Sequence, residues 1–290
     1  MIVDGKTQLI GLIGWPVSHS FSPAMHNAAA ASFGLNWIYV PLPVRPRDLR
    51  SAVEGMPALG FNGVNVTIPH KQAVMPFLDS IQQGAGIIGA VNTIVVNRNS
   101  SVPERTWQLA GYNTDWLGFL ADLDSLAVSI KQRDCLVLGA GGSARAVVYA
   151  LAQADAHVNI LARRTDQAAQ LAADLAGVAE VQFDSLAALP ALVAGLKAPL
   201  IVNTTPLGMI PETDRTIWPE SIPIPTGSFI YDLVYNPLET YLMRQAHAAG
   251  CGTSNGLGML LHQGALAFEL WTGQKPSIQM MEKALGLAHV

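Results

Sequence analysis

Lys71 closes the stretch GVNVTIPHK (63–71), and Asp115 sits in a second turn-rich stretch, GYNTDWLG (111–118). Reduction of a ketone by a hydride donor leaves an alkoxide-like oxygen. An ammonium steadied by a carboxylate is suited to protonate that oxygen, an effect worth about 10² to 10⁴ in rate. Each residue alone also fits a plainer role, Lys71 as a solvated lysine at a helix start and Asp115 as a helix N-cap. Their setting has to decide.

A hydride needs a carrier, and LVLGAGGSARA (136–146) offers a place for one. Gly139, Gly141 and Ala144 fit G-x-G-x-x-G/A after an apolar run and at the opening of a helix, where the backbone comes close to a pyrophosphate that meets free helix-start amides. A bare strand-to-helix turn would use the same glycines, so the next strand carries more weight. In ILARRTD (160–166) no carboxylate ends the strand to take the adenine ribose; Arg163 and Arg164 stand there instead. Two guanidinium groups suit a 2′-phosphate, at about 1.5–3 kcal/mol per charge-assisted bond, which favours NADP over NAD. The alternative is two solvated charges after a strand. Asp166 is expected to cap the helix that follows.

The elements that must position these groups are read from periodicity. Strands are expected around 8–14, 36–42, 62–67 and 91–97, alternating with helices in SPAMHNAAAASF and RPRDLRSAVEGM. The texture changes near 111–135, and from 134 the rhythm repeats: DCLVLGAGG, a helix at 143–154, the strand HVNILA, a helix at 166–176, then strands near 199–202 and 228–233. Such alternation implies α/β architecture and parallel sheets. The stretch 98–108, NRNSSVPERTW, reads as an exposed loop or hairpin tip, and 256–289 as helical.

Composition bounds the function classes. The 290 residues, half of them apolar, can bury a large core and fill two domains. Nothing approaches the roughly 18 uninterrupted apolar residues of a membrane span, and the amino-terminal stretch lacks a secretory pattern. Cys135 and Cys251 are far apart and lack metal or redox spacing. A net charge of −4 gives no footprint for nucleic acid or an anionic membrane. The expectation is a cytoplasmic protein, monomer or homodimer, with a small-molecule substrate and no metal.

With these residues in view, the sequence resembles the shikimate dehydrogenase family across nearly its whole length. The motifs that carry the resemblance are GWPVSHSFSPAMHN (14–27), GVNVTIPHK, AVNT (90–93), GYNTDWLG, GAGGSARA (139–146), NTTPLGM (203–209), DLVYNPLET and GLGMLLHQGALAFELWTG. The resemblance implies two α/β domains, a substrate-binding one (1–115) and a Rossmann-type NADP domain (116–255). The C-terminal helices (256–290) return to the first, and the site lies in the groove between the domains. It implies NADPH-dependent reduction of 3-dehydroshikimate to shikimate, in aromatic amino-acid biosynthesis.

By the same resemblance, Ser20 and Ser22 match the serines that hold the substrate carboxylate. Thr67, Asn92 and Gln263 match neutral groups that bond the ring hydroxyls, and Tyr235 a tyrosine beside the substrate. Lys71 and Asp115 match the catalytic pair, with Asp115 also orienting the substrate. Gly139, Ala140, Gly141, Gly142 and Ser143 match the phosphate loop. Ala162, Arg163 and Arg164 match the adenine-side strand end, and Thr204, Leu233, Gly256 and Met259 lie on segments that border the nicotinamide. His19 and His70 have no metal spacing and fit solvated or packed roles better.

One departure concerns the cofactor. Relatives often have Asn-Arg-Thr where this chain has Ala162, Arg163 and Arg164, which keeps NADP first and leaves dual cofactor use open. A quinate or dual quinate/shikimate dehydrogenase shares the same pair. A non-catalytic dinucleotide sensor would have a broken pair, and here it is intact.

Overall fold

Residues 3–98 and 107–286 are described by the computed structural model of the chain. They divide into two units, one comprising the chain to Gly118 together with Leu260 onward, the other Phe119–Met259.

The first unit runs β1 (Gln8–Gly14), α1 (Ser22–Ser32), β2 (Trp37–Pro43), α2 (Leu49–Gly55), β3 (Phe61–Val66), β4 (Ser80–Ile81), α3 (Gln83–Ile88), β5 (Thr93–Asn97) and β6 (Gln108–Tyr112). Its sheet has the order β2-β1-β3-β5-β6-β4. The expectation of a parallel sheet holds for β2, β1 and β3 and for the β4–β6 pair, and fails at β5, which runs antiparallel to both β3 and β6. The cause is local: β5 and β6 are consecutive strands separated by about ten residues, fewer than a parallel crossover needs, so they pair antiparallel as a hairpin. The stretch expected as a loop or hairpin tip falls largely at 99–106, outside the described residues.

Apolar and polar residues alternate in GVNVTIP, yet β3 is not a half-solvated strand. Val64, Asn65 and Val66 are all buried. Asn65 is satisfied internally, accepting from Tyr39 Oη at 2.9 Å and donating to Thr93 Oγ1 at 3.1 Å. Leu49, Val53, Met56, Val64, Val66, Ile94 and Leu109 pack as one core around this strand, each large apolar side chain contributing about 1.5–3 kcal/mol by burial.

From there α4 (Asp115–Ser125) leads into the second unit: β7 (Asp134–Leu138), α5 (Gly142–Gln153), β8 (His157–Ala162), α6 (Thr165–Asp174), β9 (Gln182–Ser185), α7 (Leu189–Val193), β10 (Leu200–Asn203), β11 (Phe229–Asp232), α8 (Tyr241–Ala248) and β12 (Gly252–Asn255). All six strands are parallel, in the order β12-β11-β10-β7-β8-β9. This is the doubly wound dinucleotide-binding order, whose switch point falls between β7 and β10. Its inner strands read as continuous apolar runs because both faces are covered. Asp166 does not cap α6: the helix starts at Thr165 with Arg164 as N-cap and no side-chain cap bond, leaving Asp166 inside the first turn, where its charge still suits the helix dipole.

The chain closes with α9 (Leu257–Thr272) and α10 (Ile278–Lys283). From Leu260 these helices belong to the first unit, where Trp271 Nε1 donates to the Ile94 carbonyl at 3.0 Å.

Candidate active site

Four strand ends of the first sheet meet at one edge. β1 and β3 are parallel, so Gly14 and Val66 end side by side, and Trp15 N donates to the Ile68 carbonyl at 2.9 Å. Because β5 is reversed, its beginning lies beside the end of β3, pairing Thr93 with Asn65. Reversal again at β6 pairs Thr93 with Tyr112. The segments that carry Ser20 and Ser22, Thr67 and Lys71, Asn92, and Asp115 therefore leave the sheet at the same edge.

Lys71 Nζ donates to Asp115 Oδ2 at 2.6 Å, with the two side chains 12% and 6% exposed. The other carboxylate oxygen accepts from Asn92 Nδ2 at 2.8 Å. Asn92 Nδ2 also lies 2.9 Å from Thr114 Oγ1 and 3.2 Å from Gln263 Oε1. Two amide protons thus serve three acceptors. Asn92 Oδ1 is fixed by the backbone N–H of Thr114 at 2.7 Å. The backbone is tied as well: Val91 N donates to the Lys71 carbonyl at 2.7 Å. Asn113 accepts from Asp115 N at 3.1 Å and donates to the Ala90 carbonyl at 2.9 Å, an Asx turn that opens α4. Asp115 is the first residue of that helix, where the dipole favours its charge. Gln263 reaches the cluster from α9 because Gly118 has no side chain: a Cβ there would lie 2.7 Å from Gln263 N.

Ser22 N donates to Ser20 Oγ at 3.2 Å, and α1 begins without a side-chain cap, so the serines do not act as its N-cap. Thr67 packs beneath Gly14, where a Cβ would meet its methyl at 2.3 Å. His70 is buried with Nε2 2.7 Å from the Val44 carbonyl, a packed role, and His19 is exposed. Tyr235 belongs to the second unit, on the segment after β11, and burial pushes its phenol pKa up from the ordinary value. Among the described residues no cluster of three His, Cys, Asp or Glu is arranged to hold a metal.

In the second unit the residues expected at the cofactor stand at carboxyl ends of parallel strands: Gly139 after β7, Ala162 ending β8 with Arg163 and Arg164 beyond it, Thr204 after β10, Leu233 after β11 and Gly256 after β12. Gly139 has φ +118°, and a Cβ would lie 2.5 Å from Thr204 Oγ1, so this turn demands glycine. Thr204 Oγ1 donates to the Leu138 carbonyl at 2.8 Å across the switch point. Gly141 has open space where a Cβ would stand, so the backbone beside Ala140, Gly142 and Ser143 at the start of α5 offers room for a phosphate to approach. Both arginines are exposed. The donor set fits a phosphorylated dinucleotide. Met259 is buried in the first turn of α9.

A relative from Carboxydothermus hydrogenoformans described as shikimate dehydrogenase (NADP(+)) is 43% identical over 289 residues, covering 99% of this chain and 100% of the relative. The chain belongs to the shikimate dehydrogenase family. Residues 12–94 match the family model of the shikimate dehydrogenase substrate binding domain, and residues 256–285 that of the shikimate 5′-dehydrogenase C-terminal domain. A crystal structure of shikimate 5-dehydrogenase from Thermus thermophilus in complex with NADP(H) and shikimate has 36% identity and a TM-score of 0.81, with 97% of this chain and 99% of that chain covered. Quinate dehydrogenase from Corynebacterium glutamicum in complex with NAD has 33% identity and a TM-score of 0.85, with coverage of 97% and 99%.

Sequence reasoning did not single out several polar groups that the fold places beside these clusters in this shikimate dehydrogenase family member. Thr114 bonds Asn92, and its neighbours in GYNTD were the available signal. Asp232 is buried, its pKa raised to about 6 by burial, and it accepts from Thr240 Oγ1 at 2.7 Å and Asn203 Nδ2 at 2.9 Å. It ties the end of β10 to the segment after β11, and its place as the first residue of DLVYNPLET was the available signal.

Proposed function

We propose that Lys71 and Asp115 are the catalytic pair of an oxidoreductase that interconverts 3-dehydroshikimate and shikimate with NADP. The observation that carries the assignment is the buried Lys71–Asp115 contact at 2.6 Å, with Asn92 on the carboxylate's other oxygen. NADPH, when bound, supplies the hydride to the C3 carbonyl carbon. Lys71 Nζ gives a proton to the C3 oxygen as that bond forms, and in the reverse direction takes it back. Asp115 holds the ammonium in place and accepts from the substrate hydroxyl. Thr67, Asn92 and Gln263 bond the ring hydroxyls; a ligand lacking one leaves them buried and unpaired, which is a strong basis for discrimination. Ser20 and Ser22 hold the carboxylate.

On the cofactor side, Gly139 to Ser143 take the pyrophosphate, Arg163 and Arg164 beyond Ala162 take the 2′-phosphate, and Thr204, Leu233, Gly256 and Met259 border the nicotinamide. Cys135 and Cys251 are free, buried thiols, which accords with work in the cytoplasm. The likeness to a quinate dehydrogenase makes quinate the competing substrate.

The test is absorbance of the reduced nicotinamide during incubation with shikimate or quinate and each oxidised cofactor. Shikimate with NADP is expected to give the highest kcat/KM; a higher value for quinate with NAD overturns the reading. Lys71→Ala should lower turnover by at least about 10²-fold while shikimate still binds. Unchanged turnover removes Lys71 from the mechanism.

A further inference from the structure

Asp122 and Tyr231 meet inside the second unit, and neither belongs to any role assigned above. Tyr231, fully buried in β11, donates its hydroxyl to Asp122 Oδ2 at 2.5 Å. Its ring meets Phe119 edge-on, with centroids 5.0 Å apart. The phenol oxygen also interacts with the backbone N–H of Met259. Asp122 in turn occupies the side-chain space of Gly258, where a Cβ would lie 1.9 Å from Asp122 Oδ1.

Gly258 and Met259 lie in the first turn of α9, whose amides have no partner within the helix. Leu257 N is met by Asn255 Oδ1 at 2.9 Å and Met259 N by the tyrosine. A carboxylate at the amino end of a 16-residue helix is favoured by the helix dipole. The buried carboxyl group of Asp122 therefore has both a hydrogen-bond donor and a position at the amino end of α9. Two residues earlier the backbone is just as constrained: a Cβ on Gly256 would lie 2.2 Å from the Leu233 carbonyl oxygen. The turn 256–259 is thus pressed against the end of β11 on one side and clasped by Asp122 and Tyr231 on the other.

We propose that Asp122 and Tyr231 are positioning residues for hydride transfer, fixing the turn 256–259 and with it the orientation of the nicotinamide ring. This rests on the reading above that Leu233, Gly256 and Met259 border the nicotinamide. The phosphates are held elsewhere, so loosening the turn should disturb ring orientation more than overall cofactor affinity.

Tyr231→Phe keeps the ring against Phe119 and removes the hydroxyl. In the full-length enzyme it is expected to lower kcat for shikimate oxidation about tenfold while the KM values for shikimate and NADP stay within about twofold. The primary isotope effect with shikimate deuterated at C3 should rise, because hydride transfer becomes the slow step. A purely structural role would lower the active fraction and leave the isotope effect unchanged. Parent-like kcat and isotope effect, or a kcat loss equal to the unfolded fraction, overturn the proposal. If Tyr231→Phe does not fold, Asp122→Asn is read by the same measurements, and failure of both to fold overturns the proposal. Leu233→Ala separates the two levels. If it leaves NADP KM and kcat unchanged, the assignment of this strand end to the nicotinamide fails. If it disturbs them and Tyr231→Phe does not, only the positioning role fails.

Discussion

The amide of Asn92 donates to Asp115 Oδ1 at 2.8 Å, on the carboxylate oxygen that Lys71 does not use. The carboxylate that steadies the lysine is itself steadied, and Asn92 is oriented in turn by the Thr114 backbone at 2.7 Å. A three-part relay of this kind makes the lysine's position depend on a neutral amide.

Asn92→Ala should therefore lower kcat/KM for shikimate by about 10- to 100-fold and cost about 1–3 kcal/mol of stability, since it leaves Thr114 N–H and a carboxylate oxygen buried without their partner. Steady-state kinetics and denaturant unfolding measure both. Loss of stability with parent-like kcat/KM would show that Asn92 serves the fold alone.

Arg163→Ala and Arg164→Ala should each raise the KM for NADP about 10- to 100-fold and leave that for NAD nearly unchanged, because the 2′-phosphate proposed to meet these guanidinium groups is absent from NAD. Initial rates with both cofactors decide it. Equal losses with NAD would place the arginines away from the 2′-phosphate.

Gly118→Ala would set a methyl 2.7 Å from Gln263 N. Pushing α9 away from α4 at this point withdraws Gln263 from Asn92, so the KM for shikimate should rise while that for NADP holds. The overpacking itself should cost about 1–3 kcal/mol. Binding of shikimate to Gly118→Ala by calorimetry, unchanged from the parent, would contradict this account.

His26 is fully buried against Tyr39, with centroids 4.3 Å apart, and neither ring nitrogen has a hydrogen-bond partner. Burial pushes its pKa from 6.5 down to about 3. The unfolded chain takes up a proton near pH 6.5 that the folded chain refuses, so this residue's stability is complete above that pH. It is lost as pH falls toward 3, by about 1.4 kcal/mol per pH unit at most. In urea unfolding from pH 7.5 to 5, the parent should lose stability relative to His26→Phe. Parallel profiles would mean that the ring protonates in the folded state.

Much of the second unit was legible in the sequence. Its inner strands are continuous apolar runs, its glycines open a helix, and each crossover is local, so DCLVLGAGG and HVNILARR announced a parallel sheet. Lys71, Asp115 and the arginines were visible as candidates by residue type, though each alone also fitted a solvated or capping role. The contacts among them were not legible. Lys71 and Asp115 are 44 residues apart and Asn92 and Gln263 are 171 apart, distances over which periodicity says nothing.

What only the tertiary structure decided was which edge of the sheet each residue reached. The reversal of β5 turned Asn92 toward Lys71 and, through the hairpin, sent Asp115 to the same edge; a parallel β5 would have placed both at the opposite end. Strand direction depends on how a hairpin closes and which strands it pairs with, a global balance of hydrogen bonds and burial. The buried alternation in β3, the missing cap at Asp166 and the Asp122–Tyr231 clasp have the same origin: each side chain's surroundings come from elements distant in sequence. Residue type determined what these groups are able to do, and packing determined which of them meet.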